Sequence, residues 1–192
     1  MKSMGAIDDV TAVLLSHARD AGFKQCSSLA VGKLLSVLAA AKPGGRILEL
    51  GTGVGLGTMR LLDGMSPTAR LTTVEHDVDL ASIAQEQIDD PRVEFVVAEG
   101  GAWLKEQQAE AGSYDLVFAD TWPGKFDYLD EALALVAVGG FYVVDDLLPQ
   151  STWPDNHQLE VDVLLAHLLD LEGWKTVRID DMSGVLICCR LT

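Results

Sequence analysis

The feature that most limits how this chain can fold is a recurrence of short, almost unbroken apolar runs separated by stretches of helical periodicity. The runs Arg46–Leu50, Leu71–Glu75, Val93–Ala98 and Asp115–Asp120 show little alternation of polar and apolar residues. Strands read that way when both faces of their sheet are covered, as in parallel sheets flanked by helices. A fifth run, Phe141–Asp145, follows the pair Gly139-Gly140. Helical patterns over Thr58–Met65, Leu80–Ile88 and Phe126–Val136 lie between the runs, and Asp77 or Asp79 suits the N-cap of the second. Two further helices, Asp8–Arg19 and Ser28–Ala41, precede the first strand. Ser27 or Ser28 suits the N-cap of the latter, and Pro43-Gly44-Gly45 stops it. After the fifth strand Asn156–Leu171 reads as a helix, followed by strands Lys175–Ile179 and Val185–Leu191. The link between these two is too short for a parallel crossover, so they should form an antiparallel hairpin. The expectation is one α/β domain over residues 1–192: a mostly parallel seven-stranded sheet with a C-terminal antiparallel hairpin and helices on both faces.

The 192 residues suffice for one buried core, and 48% hydrophobic with 22% charged residues is ordinary for a soluble globular chain. The net charge of −15 argues against a nucleic-acid or anionic-membrane partner, both of which need basic footprints. It leaves room for a cationic or neutral small molecule. No apolar run is long enough to span a membrane, and MKSMGAIDDV lacks a signal core, so a cytoplasmic location is expected. Three cysteines, Cys26 alone and Cys188-Cys189 adjacent, lack metal spacing and read as reduced thiols.

The first strand runs into ILELGTGVGLGT, residues 47–58. In open α/β sheets ligands bind outside the carboxyl ends of the strands, and glycines let the backbone approach them closely. Gly51, Gly53 and Gly55 are spaced G-x-G-x-G; the dinucleotide pattern would need glycine where Leu56 or Thr58 stands. Glu49 precedes the loop and no basic residue lies in it, which suits a cationic amino-acid moiety better than a pyrophosphate. Glu75 ends the second strand, where a carboxylate can accept from both hydroxyls of a ribose. A ribose with a positive end and no required phosphate describes S-adenosylmethionine. The competing reading is a tight turn beside a helix-proximal acid.

LELGTGVG (48–55), TVEHD (73–77), VVAEGGAWL (96–104), FADTWPGKFDYLDEAL (118–133) and GGFYVVDDLLP (139–149) together resemble class I S-adenosylmethionine-dependent methyltransferases. The last two segments narrow the resemblance to the small O-methyltransferases of the catechol and caffeoyl-CoA type. It implies a three-layer Rossmann-like fold, with residues 1–42 on the lid and substrate side and 43–192 forming the cofactor-binding sheet. It further implies methyl transfer to a hydroxyl of a small molecule, a phenol in particular, and a homodimer. Gly100, Gly101 and Trp103 would border the adenine, His76 would lie near ribose and adenine, and Trp122 would pack on the adenine. Trp103 reads equally as a core anchor on a helix.

The same resemblance assigns Asp120, Asp145 and Asp146 to a divalent metal, Mg²⁺ or else Ca²⁺ or Mn²⁺, and Lys125 to the acceptor's proton. Two departures stand out. The related enzymes carry Asp-Asn where this chain has Asp145-Asp146, and Pro123-Gly124 delays Lys125 to five positions beyond Asp120. The competing readings are a solvated strand end and a surface lysine. His157 reads either as facing the acceptor or as a surface or capping histidine, and Trp153 as a wall of the acceptor pocket. The alternatives in other functional classes are another enzyme on the same fold, by aminopropyl transfer or nicotinamide-dependent reduction, and a non-catalytic cofactor-binding module.

Overall fold

The computed structural model describes residues 4–23, 27–150, 153–154 and 156–192; Cys26 lies outside them. In chain order the elements are α1 (Met4–Asp20), α2 (Leu29–Ala40), β1 (Arg46–Leu50), α3 (Leu56–Gly64), β2 (Arg70–Glu75), α4 (Val78–Gln87) and β3 (Val93–Val97). Then come α5 (Gly100–Glu106), β4 (Tyr114–Ala119), α6 (Leu129–Leu135), β5 (Val136–Val144), α7 (His157–Leu169), β6 (Trp174–Ile179) and β7 (Val185–Arg190). The seven strands lie in the order β3-β2-β1-β4-β5-β7-β6. All pairs from β3 to β5 are parallel, whereas β7 runs antiparallel to both β5 and β6. The expected α/β architecture is therefore the one found. Among the described residues no helix is long and apolar enough to cross a membrane.

The unbroken apolar runs are explained by burial on both sides. Ile47, Leu116, Phe118 and Val143 pack under α1 to α4, into a cluster with Leu14, Leu35 and Leu61. Their neighbours Leu48, Val117, Ala119 and Val144 face the other way, into a cluster with Leu104, Leu135, Val161 and Leu165 from α5, α6 and α7. Successive strand side chains point to opposite faces, so the strand interiors are mostly apolar, and the polar residues buried there, Glu49 and Thr73, answer each other.

Three boundaries differ from expectation. Glycines 100 and 101 hid α5, whose N-terminus is capped by Glu99 accepting from the Gly101 and Ala102 amides. Helix α6 begins at Leu129 rather than 126, because the preceding residues form a loop closed by the Gly124 N–H on the Asp127 carbonyl at 2.6 Å. Strand β5 starts at Val136 and runs through Gly139-Gly140, with a register shift opposite Tyr114–Leu116. Gly139 takes φ 78° there, so the glycines mark an irregularity inside the strand rather than its start.

One buried polar network ties β1, β2 and α3 together. The Glu49 side chain is fully buried. Its Oε2 accepts from Thr58 Oγ1 at 2.5 Å and from Thr73 Oγ1 at 2.7 Å, and Thr52 donates in turn to Thr73 at 2.6 Å. Oε1 has no protein partner. It lies where a Cβ on Gly57 would come within 2.2 Å of it, so only glycine fits there. Burial pushes the Glu49 carboxyl up to about 7, against the two threonine hydroxyls that hold its anion. A carboxyl whose folded pKa is raised stabilises the fold below about pH 4.5 and loses that contribution as the pH climbs through 7. Glu49→Gln keeps an acceptor for both threonines and removes the charge. Above pH 8 it should therefore be more stable than wild type by up to about 3 kcal/mol, with the gap shrinking toward pH 5. Urea midpoints at the two pH values check this, and an equal difference at both would contradict it.

Candidate functional site

The chain leaves β1 toward α3 and leaves the neighbouring β4 toward α6, which pack on opposite faces of the sheet. A crevice opens at such a divergence, outside the carboxyl ends of the strands. The loop after β1 forms its floor. The Gly51 N–H donates to the Val74 carbonyl and the Asp120 N–H to the Leu50 carbonyl, both at 2.9 Å. A Cβ on Gly51 would lie 2.9 Å from the Asp120 carbonyl oxygen, and its φ of 97° is one that side chains disfavour.

Glu75, at the end of β2, is 6% exposed and faces this crevice. Its Oε2 accepts from the Gly53 N–H at 2.9 Å, and Oε1 accepts from the His76 and Asp77 N–H groups at 2.9 and 3.0 Å. Three backbone donors thus fix the carboxylate, while Oε2 keeps a lone pair for a ligand hydroxyl. Two adjoining cavities, about 230 and 440 Å³, share Gly51, Glu75, His76, Thr121 and Trp122. The smaller extends to Ala98, Gly100 and Pro123. The larger passes Gly53 and reaches Asp120, Lys125, Asp146 and His157.

Nine of the sequence-derived residues thus come together: Gly51, Gly53, Glu75, His76, Gly100, Asp120, Trp122, Lys125 and Asp146. Five expected ones line neither cavity. Glu49 sits beneath the loop with the threonines. Gly55 packs against α4, where a Cβ would meet Ile88 at 2.7 Å. Gly101 lies under the Tyr128 ring, 2.1 Å from where its Cβ would be. Trp103 is a core anchor, buried with Leu104 and Tyr142 because α5 turns that face onto the sheet. Asp145 is buried below the crevice, 1% exposed.

The polar end of the larger cavity is dense with charge. Lys125 is only 5% exposed, which overturns the reading of it as a surface lysine. Its Nζ donates to the Asp145 carbonyl oxygen at 2.5 Å. Burial lowers its pKa, while Asp120, Asp146 and Asp145 pull the other way. Asp120 is held well above the ordinary carboxylate range by burial and by Asp145 and Asp146; Lys125 and a 2.8 Å hydrogen bond from Ser27 to its Oδ2 oppose this. Asp145 is raised by burial, against donation from Ser183 and the Asp146 N–H.

The three acids expected to hold a metal are each partly engaged within the protein. Among the described residues no three His, Cys, Asp or Glu side chains converge as a metal site. Asp145 Oδ1 is engaged by Ser183 and the Asp146 N–H, Asp146 Oδ1 by Gln150 at 2.5 Å, and Asp120 Oδ2 by Ser27. One oxygen of each acid is thus turned to a protein donor, and only the second oxygen of each is left for a ligand.

Some of the site was not legible. His157 is 7% exposed, with Nδ1 3.1 Å from Glu160 and its ring among Trp122, Phe126 and Trp153 at 4.6–5.5 Å between centroids. Of its two sequence readings, the structure places it at the larger cavity rather than at the surface. Ser27 carried no signal beyond its adjacency to Ser28, which is the actual N-cap of α2.

The sequence pattern of the O-methyltransferase family matches residues 15–172. A candidate O-methyltransferase of Mycobacterium ulcerans (strain Agy99) is 34% identical over 119 residues, 60% of this chain and 53% of that one. The chain thus spans about half the length of such relatives. Among solved structures, the O-methyltransferase TomG of Streptomyces achromogenes, in complex with S-adenosylmethionine, superposes with a TM-score of 0.84 at 23% identity, over 95% of this chain and 90% of that one. An O-methyltransferase of Bacillus cereus, in complex with S-adenosylhomocysteine, gives 0.83 at 21% identity over the same shares. The likeness to these two shows the fold, and the match over residues 15–172 shows more: the chain belongs to the O-methyltransferase family.

Proposed function

We propose that this chain binds S-adenosylmethionine in the crevice and transfers its methyl group to a hydroxyl of a small phenolic acceptor. The observation that carries this reading is the Glu75 carboxylate, held by three backbone N–H groups and facing the cavity with acceptor capacity to spare. A ribose presents the hydroxyls such a group would bind. The residues present fit the rest of the molecule. Gly51 and Gly53 line the larger cavity, where the amino-acid end would lie. The Trp122 ring, 46% exposed at the boundary of the two cavities, offers an apolar face to the adenine.

S-adenosylmethionine, when bound, supplies a methyl group to the acceptor oxygen, whose lone pair forms the C–O bond while the C–S pair stays on sulfur and S-adenosylhomocysteine leaves. The chain's part is to position the hydroxyl and remove its proton. Asp120 Oδ1 is the atom for that proton: its partner Oδ2 is taken by Ser27, and burial raises the carboxyl's proton affinity. Phe126, Trp153 and His157 wall the same cavity and favour a flat acceptor. The acids converge on no metal position, so no step is assigned to a divalent cation.

Calorimetry with S-adenosylhomocysteine tests cofactor binding. Glu75→Gln should weaken it roughly 10- to 100-fold, and Trp122→Ala roughly tenfold; unchanged affinity in both would overturn the assignment. For chemistry, wild type with S-adenosylmethionine is screened against catechols and simple phenols. Asp120→Asn should lower kcat by about 100-fold or more on any acceptor found, with S-adenosylhomocysteine affinity within about threefold of wild type. A KM effect with unchanged kcat would reassign Asp120 to binding.

A further inference from the structure

The two departures from the catechol-type pattern meet in space. Pro123-Gly124 builds a tight turn, with Gly124 at φ 87° and its carbonyl accepting from the Tyr142 hydroxyl at 2.5 Å. That turn sends the Lys125 side chain inward, onto the Asp145 carbonyl and into the field of Asp120, Asp145 and the additional acid, Asp146. The Lys125 ammonium has no ion pair within 4.0 Å among the described residues; its one side-chain hydrogen bond there is to the Asp145 carbonyl, and it lies 5.2 Å from the centroid of the Phe126 ring. An ammonium has three donors, so two N–H groups remain on a side chain that is buried and lines the larger cavity. Unmatched donors on a buried charge are costly, and an oxygen ligand in the cavity would satisfy them.

We infer that the Lys125 ammonium takes the place of the divalent cation in this site: its two spare N–H groups hold the acceptor oxygen as negative charge develops there, and no metal is required. This rests on the methyl-transfer reading above. The hydroxyl proton goes to Asp120, the C–O bond forms as the C–S bond breaks, and Lys125 keeps all three of its protons throughout. Lys125 is thus a donor to the oxygen rather than the base that the resemblance implied.

The test uses Mn²⁺ alone as the probe, followed by electron paramagnetic resonance on the full chain saturated with S-adenosylhomocysteine. Wild type should hold no stoichiometric Mn²⁺ up to about 1 mM, since a fixed positive charge within a few ångströms opposes a second cation. Lys125→Met should gain at least about tenfold in Mn²⁺ affinity once three carboxylates lose their counter-charge. Lys125→Gln, which keeps a donor for the Asp145 carbonyl, is measured in parallel, so that a Met variant without a melting transition does not end the test. One Mn²⁺ per wild-type chain, lost in Asp145→Asn, would overturn the inference, as would variants that fold and bind no more Mn²⁺ than wild type. Calorimetry with S-adenosylhomocysteine on the same samples separates the two readings: failure of wild type to bind it would remove the methyl-transfer reading while leaving the Mn²⁺ result to stand on its own.

Discussion

Everything in this molecule follows from the central strands being buried on both faces. With Ile47, Leu116 and Val143 facing one helical layer and Leu48, Val117 and Val144 facing the other, the sheet has room inside its strands only for polar groups that pair with each other, as Glu49 and Thr73 do, and carries open polar chemistry where its strands stop. Polar groups therefore gather at the carboxyl edge, and Glu75, Asp120 and Asp145 are the strand-end residues that supply them. The parallel direction of β1 to β5 puts those ends on one edge. Divergence of α3 and α6 from adjacent strands then opens the crevice above them.

Placing carboxylates there is costly unless each is answered, and the chain answers them differently. Glu75 receives three backbone N–H donors and stays rigid at the cavity wall. Glu49, on the neighbouring strand β1, receives two hydroxyls on one oxygen and none on the other, and burial pushes it up to about 7. Two acids bracketing one glycine loop thus take different roles: one braces the loop from below, and the other meets the ligand space. Hydrogen-bond supply, rather than depth in the sheet alone, sets them apart.

The fold and the cofactor end of the crevice could be read from the sequence because their signals are local. Apolar runs specify strands, the short 180–184 link specifies a hairpin, and glycines with a terminal acid specify a loop and its ligand edge. The signals failed where a residue's role depends on what a distant element places beside it. Gly55 and Gly101 resemble ligand-contacting glycines in spacing but are small so that α4 and Tyr128 can approach. Trp103 carries the same aromatic chemistry as Trp122, yet α5 turns it inward and the loop after β4 leaves Trp122 half exposed. His157 and Ser27 enter the site only through packing between segments far apart in the chain, to which periodicity is blind.

The acidic end shows why spacing misled there. Counting from Asp120, Lys125 falls too late to match the catechol-type pattern, and a lysine after Pro-Gly reads as part of an exposed turn. The turn in fact folds back, fixed by the Tyr142 hydroxyl on the Gly124 carbonyl and by the Asp127 carbonyl on the Gly124 N–H. Tyr142 is itself fully buried on β5, so the lysine's position is set by the same strand that carries Asp145. An additional carboxylate at 146 would be poorly tolerated beside two others without a compensating charge. Pro123-Gly124 supplies the geometry that brings Lys125 in beside them, so that, on the inferred role of Lys125, the two departures are one change.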